Sequence, residues 1–357
     1  MSDAARLQTD DAAWDAWVAS TPPSFHLQQT GWAEVKAANG WRAERIVVDA
    51  GSGPAGLQLL VRRLGPGPFS VGYAPRGPVM TRWDPVSVAA LTAALRTRAR
   101  ALRLTHVTID PGESDPAIDT LLREAGWRST DLVQHDRSRI VALGGGEAEV
   151  WGGLRSKWRQ YVGKAERSGV VVTEGSRDDL GTFHAILTDT ARRTGFFARD
   201  ASAYRATWDV FARRGAARLL IARLPGGEPV AALFLIRCGG RMAEPYGGMT
   251  EAGAASRANY LLKWESIRRA IAEGADRYDM WGIAHPGIEQ FKEGFGGEEL
   301  RYVGAYDLVT LPVAREILVA GRRTWVALAR RRLERGRTSG RTAAGPGTDA
   351  EAREGQS

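Results

Sequence analysis

Apolar and polar positions along this chain form two successive series of helical and strand-like segments. In the first series, apolar residues recur at helical spacing over residues 12–20, 31–38, 91–102 and 117–125. Strand-like runs lie between and after these helices, at residues 45–48, 56–64, 105–110 and 139–143. Because helices and strands alternate, the pattern predicts a mixed unit that ends near the glycine run at 144–146.

The second series repeats this order of elements. Helical spacing covers residues 150–168, 180–194 and 260–273, and strand-like runs cover 170–173, 218–224, 228–238, 241–247 and 277–281. Two such units predict an α/β (α+β) protein with two mixed-sheet domains. We place the first domain at residues 1–146 and the second at residues 147–311.

The C-terminal region divides in two. Residues 312–337 are helical in pattern and very basic, whereas residues 338–357 are polar, rich in glycine and alanine, and predicted to be disordered. The basic helix suits contact with an anionic membrane surface or with RNA phosphates. A helix that packs back on the first domain, with a solvated arginine face, explains the pattern equally well.

The charge balance narrows the class of partner. With 49 Lys and Arg residues against 41 Asp and Glu residues, the chain carries a formal net charge of +8, and its sequence pI is about 9.9. This balance favours nucleic acid, anionic lipid headgroups or phosphorylated metabolites. At 357 residues and 43% hydrophobic content, the chain can bury one large core or two ordinary ones.

Several classes of protein are excluded by what the sequence lacks. The single cysteine, Cys238, leaves no intramolecular disulfide and no cysteine metal cluster. The histidines show no ligand spacing, and no GxSxG elbow or Walker loop occurs, so we expect no metal and no covalent intermediate. Neither a secretory signal nor an apolar run of about 18 residues is present. These features predict a soluble, cytoplasmic protein.

Residues 278–297, YDMWGIAHPGIEQFKEGFGG, hold one lysine among glycines and aromatic residues. The pattern predicts a buried strand (YDMW), a turn (GIAHPG) and a short exposed segment that presents Lys292 between Phe291 and Phe295. A cation held in this way suits developing negative charge. A lysine that snorkels from an apolar face fits the same residues.

A second candidate is the basic run at 155–167. Arg155, Arg159 and Arg167 fall on roughly one face of a predicted helix, while Trp158 and Val162 lie next to that face and can pack inward. A basic helix that opens the second domain suits a phosphate-rich substrate. An ordinary solvated helix face is the alternative.

A series of segments in fixed order carries a family resemblance. These are HLQQTGWAEVKAANGW (26–41), GYAPRGPVM (72–80), VTIDP (107–111), LRSKWRQYVGKAERSGV (154–170), TARRTGFFARDASAY (190–204), YGGM (246–249), ANYLLKWESIRRA (258–270) and the stretch from YDMWGI to YVGAYD (278–307). Together they resemble the FemABX family of peptidoglycan bridge-forming aminoacyltransferases.

The resemblance implies a fold and an activity. Members have two domains like those of the GNAT acyltransferases, and they move an amino acid from aminoacyl-tRNA to a stem-peptide amine of a peptidoglycan precursor. That precursor is lipid II or a UDP-MurNAc-peptide. The interval from Trp151 to Gly297 has no room for the coiled-coil arm of several members, so the chain resembles the armless type. We therefore expect aminoacyl-tRNA as a co-substrate, no cofactor, and peripheral membrane contact through the basic helix.

The resemblance also implies roles for individual residues of the reaction centre. Lys292 matches the family's lysine and would stabilise the oxyanion formed when the amine attacks the ester. Asp110 matches an aspartate near the acceptor and would orient the amine, although an aspartate before a proline also suits a helix cap. Phe291 and Phe295 would exclude water and stack on the terminal adenosine.

The remaining matched residues are expected to bind the acceptor. Lys36, Arg199 and Arg76 would bind its phosphates. Tyr204 and Tyr246 would line the peptide channel, and Tyr73 lies beside the phosphate ligands. The tyrosines could equally be core aromatic residues with satisfied hydroxyl groups.

Two other functions remain open at this point. An N-acyltransferase that uses acetyl-CoA needs a glycine-rich loop at a helix N-terminus to bind pyrophosphate, and SRANYLLKW (256–264) lacks those glycines. A non-enzymatic protein that binds tRNA or membrane is the third possibility. The presence of Lys36, Asp110 and FKEGFGG argues against it.

Overall fold

The structure is a computed structural model that describes residues 6–64, 67–194, 198–283 and 286–321. Contacts divide the chain into two units, residues 1–310 and residues 311–357. All elements numbered below belong to the first unit. Among the described residues, every helix is too short or too polar to cross a lipid bilayer.

The helices of the first unit are numbered in chain order. Helices α1 to α11 are Asp11–Ser20, Thr30–Ala37, Pro85–Ala101, Ala117–Glu124, Gly146–Gly153, Ser156–Arg167, Leu180–Thr194, Ala201–Arg213, Glu251–Ala255, Ala258–Ala272 and Pro286–Glu293. Short 3-10 helices lie at His26–Gln28 and Arg177–Asp179. Caps fix several of these starts: Asp84, for example, accepts hydrogen bonds from the N–H groups of Val86 and Ser87 at the start of α3.

The strands form two mixed sheets. Strands β1 to β15 are Arg6–Leu7, Arg42–Ala50, Gly53–Arg63, Ser70–Arg76, Val79–Met80, Leu104–Pro111, Arg128–Thr130, Arg137–Ala142, Val171–Gly175, Ala217–Arg223, Pro229–Cys238, Arg241–Met249, Arg277–Asp279, Glu298–Arg301 and Ala305–Val309. The first sheet has the order β1-β2-β3-β4-β6-β15-β7, with β5 paired to β3, and the second has the order β14-β8-β13-β12-β11-β10-β9. The predicted fold of two mixed sheets covered by helices is confirmed.

The two halves exchange one strand each, so the sheets do not divide at residue 146. Strand β8, which we predicted to end the first domain, pairs with β13 and β14 in the second sheet. Strand β15 pairs with β6 and β7 in the first sheet, although it lies in the predicted second domain. Local sequence patterns predict that a strand exists but not which sheet it joins, and for this reason the predicted boundary was wrong for these strands.

Each sheet contains one parallel pair among its described strands. Strands β4 and β6 run parallel in the first sheet, and β12 and β13 run parallel in the second. All other pairs are antiparallel. The carboxyl ends of parallel strands are common places for ligand sites in α/β sheets, and both pairs end among the residues singled out above.

A shared core cluster joins the halves. Helix α2 contributes Trp32 and Val35 to it, and helices α7 and α8 contribute Phe183 and Phe211. Gly31 lets α2 approach α8 closely, because a Cβ atom at this position would come within 3.2 Å of the Phe211 ring. This packing holds α2, and with it Lys36, against the second half of the chain.

The predicted helix 150–168 is two helices, α5 and α6. Leu154 and Arg155 between them are extended, with ψ angles of 140° and 139°. The Arg155 N–H donates to Gly294 O (2.9 Å). The Arg159 guanidinium donates to the carbonyl groups of Gly152 (3.1 Å) and Leu154, which caps the end of α5. The helix breaks just after Gly152 and Gly153, which weaken it locally, and the long-range bond to Gly294 and the local Arg159 cap hold the break in place.

The second unit is described only in part. Residues 312–321 are helical, and the Arg315 N–H donates to Leu311 O (2.9 Å). The rest of the predicted basic helix 312–337, and the predicted disordered tail 338–357, lie outside the described residues.

Candidate functional site

The carboxyl ends of β4 and β6 form a closed cluster of hydrogen bonds around Asp110, which we call the Asp110 junction. The two strands stay paired to the end, with Arg76 opposite Pro111. Asp110 accepts from the Arg76 N–H (2.7 Å), the Tyr73 hydroxyl (2.7 Å) and the Gln134 N–H (3.1 Å). Burial raises the pKa of Asp110, and these partners together with the Arg76 charge lower it in part.

This arrangement changes the expected roles of Asp110 and Tyr73. Asp110 does not cap a helix, because α4 begins at Ala117 and Asp110 binds groups of β4 and the loop after β7 instead. The Tyr73 hydroxyl donates a hydrogen bond to Asp110 and also accepts one from Gln134 Nε2 (3.0 Å). Both side chains therefore hold the junction together.

Arg76 is not placed to bind a phosphate, so that prediction is wrong for this arrangement. The side chain is only 4% exposed. Its guanidinium lies 3.8 Å from the ring centroid of Tyr302 and donates to His135 O (2.7 Å). Its backbone has a φ angle of 55°, and its N–H binds Asp110 as described. Arg76 ties the loop at His135 to the end of β4.

Strands β12 and β13 separate at their carboxyl ends, whereas β4 and β6 stay paired to theirs. Strands β12 and β13 pair over three residues only, the last pair being Ala243 with Asp279. Beyond that point a cavity of about 420 Å³ separates β12 from the start of α11, and we call it the Lys292 cavity. Its lining includes Glu244 and Met249 of β12, Arg257, Asn259, Tyr260 and Lys263 at the start of α10, and Ile288, Phe291 and Lys292 of α11.

Lys292 lies on a helix and is buried, rather than exposed on a loop as predicted. Its ammonium group donates to three successive carbonyl groups, those of Met280 (2.5 Å), Trp281 (3.0 Å) and Gly282 (2.7 Å). Burial lowers the pKa of Lys292 to about 8, against the opposing effect of the Glu244 charge. The snorkelling alternative is also wrong, because the charged end points inward to a cluster of carbonyl oxygens.

The three carbonyl bonds support an unusual backbone turn. Trp281 has a φ angle of 58°, a region that costs a bulky residue on the order of 1–3 kcal/mol. The next residue, Gly282, is needed for a close contact, since a Cβ atom there would come within 2.4 Å of the His135 ring. Lys292 therefore holds the chain that follows β13 in a strained shape at the edge of the cavity.

A buried ion pair forms one wall of the cavity, and sequence reasoning missed it. Lys263 and Glu244 are 3% and 4% exposed and are in direct contact. Glu244 also accepts from the Tyr278 hydroxyl (2.6 Å), which lies 2.7 Å from Ser266 Oγ. Because Glu244 and Lys263 neutralise each other, Lys292 and Arg257 leave the cavity with a positive balance.

The two phenylalanines around Lys292 differ in exposure. Phe291 is partly buried and lines the cavity. Phe295 is fully buried in the core cluster of α6 and α10, so the prediction that it stacks on an adenosine is wrong. Tyr260 also lines the cavity, with its ring centroid 5.1 Å from that of Phe291.

A group of cations lies beside Trp32 of α2, and we call Lys36, Arg62 and Arg199 the Lys36 cluster. Lys36 Nζ lies 4.7 Å from the ring centroid of Trp32. Burial, together with the charges of Arg199 and Arg62, lowers the pKa of Lys36 to about 8. Arg62 and Arg199 are exposed. The predicted phosphate ligands Lys36 and Arg199 are thus brought together from the two halves, and Arg62 was missed.

The predicted channel tyrosines adjoin this cluster. The Tyr204 hydroxyl accepts from the Arg199 N–H (3.2 Å), and its ring packs edge to face against Tyr246 at 5.1 Å. Tyr204 is 3% exposed and Tyr246 is partly buried. Burial raises the pKa of both hydroxyl groups. In this arrangement Tyr204 holds the loop that carries Arg199, and Tyr246 is the more accessible ring.

Trp281 and His135 connect the three groups. The Trp281 ring packs against His135 at 5.6 Å and against His26 at 5.4 Å. Burial, with the charges of Arg76 and Lys292, lowers the pKa of His135 to about 4. Beneath them Asp279 binds Arg241 (2.6 Å) and the Trp281 N–H (2.8 Å). Strand β13 therefore fixes Trp281 next to Lys292, which binds its carbonyl group, and next to His135, whose carbonyl group binds Arg76.

The scarcity of lysine in this chain is a signal in the sequence that points to Lys263. Only five of the 49 basic residues are lysines: Lys36, Lys157, Lys164, Lys263 and Lys292. A lysine ammonium is a compact charge whose pKa shifts readily on burial, and an arginine does not replace it in that respect. Three of these five lysines lie at the Lys36 cluster and the Lys292 cavity. No comparable signal marks Arg62 or Trp281.

A larger cavity lies elsewhere in the unit. It has a volume of about 590 Å³, and its lining includes Glu113, Glu149 and Glu298 together with Phe295. Arg241 and Arg277 also line it, but they pair with Asp279 and Asp276. The three glutamates therefore leave an acidic balance that disfavours a polyanionic ligand, so we do not place the phosphate chemistry there. Among the described residues, no group of three or more His, Cys, Asp or Glu side chains is arranged to hold a metal ion.

Two family models match the chain. The model of an acetyltransferase (GNAT) domain matches residues 152–293, and the FemAB family model matches residues 9–120. The chain is 30% identical over 229 residues to a lipid II:glycine glycyltransferase of Staphylococcus aureus (strain MRSA252), covering 61% of this chain and 54% of the relative. The chain thus spans about half the length of the curated relatives it matches.

Solved structures agree on the fold. A crystal structure of FemX superposes with a TM-score of 0.79 at 20% identity, covering 88% of this chain and 99% of that one. The structure of L-PGS from Bacillus licheniformis gives a TM-score of 0.52 at 14% identity, covering 88% of this chain and 98% of that one. A tandem GNAT protein from the clavulanic acid biosynthesis pathway gives a TM-score of 0.52 at 13% identity, covering 86% and 98%.

The two sheets with one parallel pair each, and the GNAT model over the second half, define a protein with the tandem GNAT-like fold. Within that class, the FemAB family model matches residues 9–120. Together with the relative and the FemX structure above, this match makes the chain similar to proteins of the FemABX family, as its ordered segments predicted.

Proposed function

We propose that this protein is an aminoacyltransferase that moves an amino acid from aminoacyl-tRNA to the stem-peptide amine of a peptidoglycan precursor. The observation that carries the proposal is the presence of two cationic sites in one fold. One is the Lys36 cluster, in which Arg62 and Arg199 are exposed, and the other is the Lys292 cavity. The name of the Staphylococcus aureus relative, a lipid II:glycine glycyltransferase, supports an acceptor of this class.

The acceptor's phosphates would bind at the Lys36 cluster. Lys36, Arg62 and Arg199 come from α2, β3 and the loop before α8, and the described structure shows no carboxylate paired with Lys36. Three cations without a counterion suit a diphosphate, which lipid II and UDP-MurNAc-peptides both carry. The tyrosines beside Arg199 then lead towards Trp281, which is the direction the peptide stem would take.

The donor's terminal nucleoside would enter the Lys292 cavity. Tyr260 and Phe291 supply aromatic rings for stacking, and Arg257 supplies a charge at the N-terminus of α10. A volume of about 420 Å³ is within the range of ordinary ligand cavities. The aminoacyl ester would then lie towards Lys292 and Trp281, within reach of an amine that approaches from the Lys36 side.

The reaction balances with these two substrates alone. The uncharged acceptor amine attacks the ester carbonyl carbon, so a C–N bond forms and an electron pair moves to the carbonyl oxygen. Lys292 stabilises that oxyanion by exchanging one of its backbone carbonyl partners for the stronger acceptor. The C–O bond then breaks, and the departing ribose oxygen takes the proton of the attacking nitrogen. Asp110 acts as a positioning residue, since its three hydrogen bonds hold Arg76 and the loop at His135.

The experiment is a transfer assay read by mass. Purified protein is incubated with a mixture of aminoacyl-tRNAs and, separately, with lipid II or UDP-MurNAc-pentapeptide. We expect a mass increase on the precursor peptide that equals one or more amino acid residues, and its size identifies the donated residue and the number added. The matched control is Lys292→Met. An unchanged precursor with every aminoacyl-tRNA and both acceptors would refute the proposal.

A second candidate function is acyl transfer from acetyl-CoA. The match of residues 152–293 to a GNAT acetyltransferase domain favours it, since the Lys292 cavity opens at the N-terminus of α10. Against it, Arg257 occupies the turn before α10 in a left-handed conformation and no glycine lies at 256–264. Acetyl-CoA in place of aminoacyl-tRNA tests this directly, because an acetyl group and an amino acid residue give different mass increases on the amine.

Peripheral membrane contact is part of the proposal for the second unit. Val313 and Ile317, four residues apart in a helical segment, are 76% and 66% exposed. The sequence after them is rich in arginine, which suits anionic lipids. The full-length protein should bind vesicles that contain phosphatidylglycerol, and Val313→Asp/Ile317→Asp should weaken that binding. Equal binding of the two proteins would remove this part of the proposal.

A further inference from the structure

One face of α6 carries cations that no ion pair occupies in the described structure. Lys157, Gln160, Tyr161 and Lys164 are spaced i, i+3, i+4 and i+7, so they share one side of the helix. We call these four residues the α6 face. Lys157, Gln160 and Lys164 are exposed, and Tyr161 is partly buried. Two of the chain's five lysines thus lie on this one face.

The arginines that sequence reasoning placed here serve other contacts. Arg155 pairs with Glu293 (2.5 Å), and Arg159 donates to the carbonyl groups at the end of α5. The guanidinium of Arg167 folds back to the position of Gly163. The predicted binding face of Arg155, Arg159 and Arg167 is therefore wrong for the first two residues. Among the described residues of α6, the cations with neither an ion pair nor a carbonyl partner are Lys157, Lys164 and Arg167.

An aromatic ring on the α6 face lies between two cations. The guanidinium of Arg257 is 4.6 Å from the ring centroid of Tyr161, and Lys157 Nζ is 5.7 Å from the same centroid. Cations near an aromatic ring and a positive groove are the common elements of surfaces that bind single-stranded nucleic acid. A membrane surface would instead require exposed apolar side chains, and the α6 face has none.

The α6 face is continuous with the Lys292 cavity. The ring centroids of Tyr161 and Tyr260 are 4.8 Å apart, and Tyr260 lines the cavity together with Arg257. Along α6, Lys157 and Lys164 are separated by about 10 Å, which matches the rise of about three nucleotides in a stacked strand. A strand whose last nucleoside occupies the cavity would therefore meet the α6 face with the nucleotides before it.

We propose that the α6 face binds the unpaired nucleotides that precede the terminal nucleoside of the RNA donor. Lys157 and Lys164 contact its phosphates, and Tyr161 stacks on a base with Arg257 beside it. The inference rests on the proposed function, because it assigns the path of that donor. It also offers a site of RNA contact for a chain that lacks the sequence length for a coiled-coil arm.

The test compares RNA binding by matched pairs of variants. A fluorescent RNA hairpin with an unpaired 3′ end is titrated against the full-length protein at several salt concentrations. Lys157→Ala/Lys164→Ala should weaken binding about tenfold or more at low salt, and it should reduce the slope of log K against log salt by about 1.4. Tyr161→Leu should weaken binding about fivefold or more without a change in slope. Arg82→Ala/Arg100→Ala, which removes two exposed charges elsewhere, should match the unmodified protein.

A second measurement separates this inference from the proposed function. Transfer from full aminoacyl-tRNA should show a raised KM in Lys157→Ala/Lys164→Ala, whereas transfer from an aminoacyl-adenosine should be unchanged, because that donor does not reach α6. If the unmodified protein binds the hairpin and transfers amino acids, and the lysine variant does both equally well, the inference is wrong and the proposed function stands. If the unmodified protein neither binds RNA nor transfers, both are overturned.

Discussion

The two parallel strand pairs of this protein occupy corresponding places in their sheets but end differently. Strands β4 and β6 stay paired up to Arg76 and Pro111, and the Asp110 junction closes their end with hydrogen bonds. Strands β12 and β13 separate after Asp279, and the Lys292 cavity fills the gap. The comparison shows that two similar strand pairs can end differently, one in a closed junction and the other in a cavity that we propose as a ligand site.

The Asp110 junction and the Lys292 cavity also differ in how their buried charges are paired. At the Asp110 junction a buried carboxylate is satisfied by fixed donors, so little capacity is left for a ligand. In the Lys292 cavity the buried carboxylate Glu244 is neutralised by Lys263, and Lys292 is bound only by backbone carbonyl groups. A cation bound by neutral dipoles can exchange one of them for a developing anion at less cost than it could leave a carboxylate. We therefore expect the chemistry on the side of the second sheet.

The largest effect should come from Lys292→Met, which keeps the apolar stem and removes the charge. We expect kcat for amino acid transfer to fall about 10²- to 10³-fold, the loss typical of one oxyanion-hole donor. Thermal unfolding of the same variant should be recorded, since the three carbonyl bonds also hold the Trp281 turn. Transfer within threefold of the unmodified protein would show that Lys292 only supports the backbone. The Lys292 cavity would then resemble the Asp110 junction in having only a supporting role.

The pH dependence of transfer should change slope where Lys292 loses its proton. Burial lowers the pKa of Lys292 to about 8, whereas an alkyl amine acceptor has a pKa of about 10.4. Below pH 8 initial rates should rise about tenfold per pH unit, because the amine loses its proton while Lys292 stays charged. Above pH 8 loss of the Lys292 charge offsets that gain, so rates should level off. A steady tenfold rise per unit through about pH 9.5 would contradict this role.

Lys36→Ala tests whether the Lys36 cluster binds the acceptor. We expect KM for the acceptor to rise about tenfold at low salt, the effect of about 1.4 kcal/mol of lost phosphate binding, with kcat nearly unchanged. The difference should shrink as salt increases, because solvent screens an exposed cluster. Arg100→Ala provides the control for loss of one charge. A large fall in kcat with an unchanged KM would place Lys36 in the chemical step instead.

The smallest effect on transfer should come from Asp110→Asn. The amide nitrogen would face one of three hydrogen-bond donors, so the free energy of unfolding should fall by about 1–3 kcal/mol. Transfer at low temperature should stay within a few-fold of the unmodified protein, as expected of a positioning residue. A hundredfold loss of kcat with unchanged stability in urea would instead make Asp110 part of the chemical step.

Helices and strands were largely predictable where the residues of one element alone determine its conformation. The helix predicted at 180–194 has those bounds in the structure, and the meander at 218–247 is present within a few residues. The segment at 286–293 was predicted as turn and exposed loop because of its glycines, yet it is a helix that buries Lys292. Its carbonyl partners come from residues 280–282, and their position depends on the pairing of β13, which no local pattern contains.

The candidate site was predictable in its list of residues more than in its geometry. Lys36, Asp110 and Lys292 were found from the sequence, and the structure places them in three separate groups of contacts. Phe295 and Arg76 were expected to contact substrate but are buried, because the positions of both depend on packing against distant residues. Lys263 was missed, although the scarcity of lysine in the chain marks it.

The sequence by itself indicated the resemblance to the FemABX family, the order of most helices and strands, and the identity of most cations at the candidate site. These follow from residue spacing and from residues adjacent in the chain. Only the tertiary structure decided which strand joined which sheet, that one parallel pair closed while the other opened, and that Arg155 and Arg159 of α6 are occupied by other contacts while Lys157 and Lys164 are not. Those outcomes depend on contacts between residues far apart in sequence, such as Arg155 with Gly294 and Lys292 with Met280, and such contacts exist only once the chain has folded.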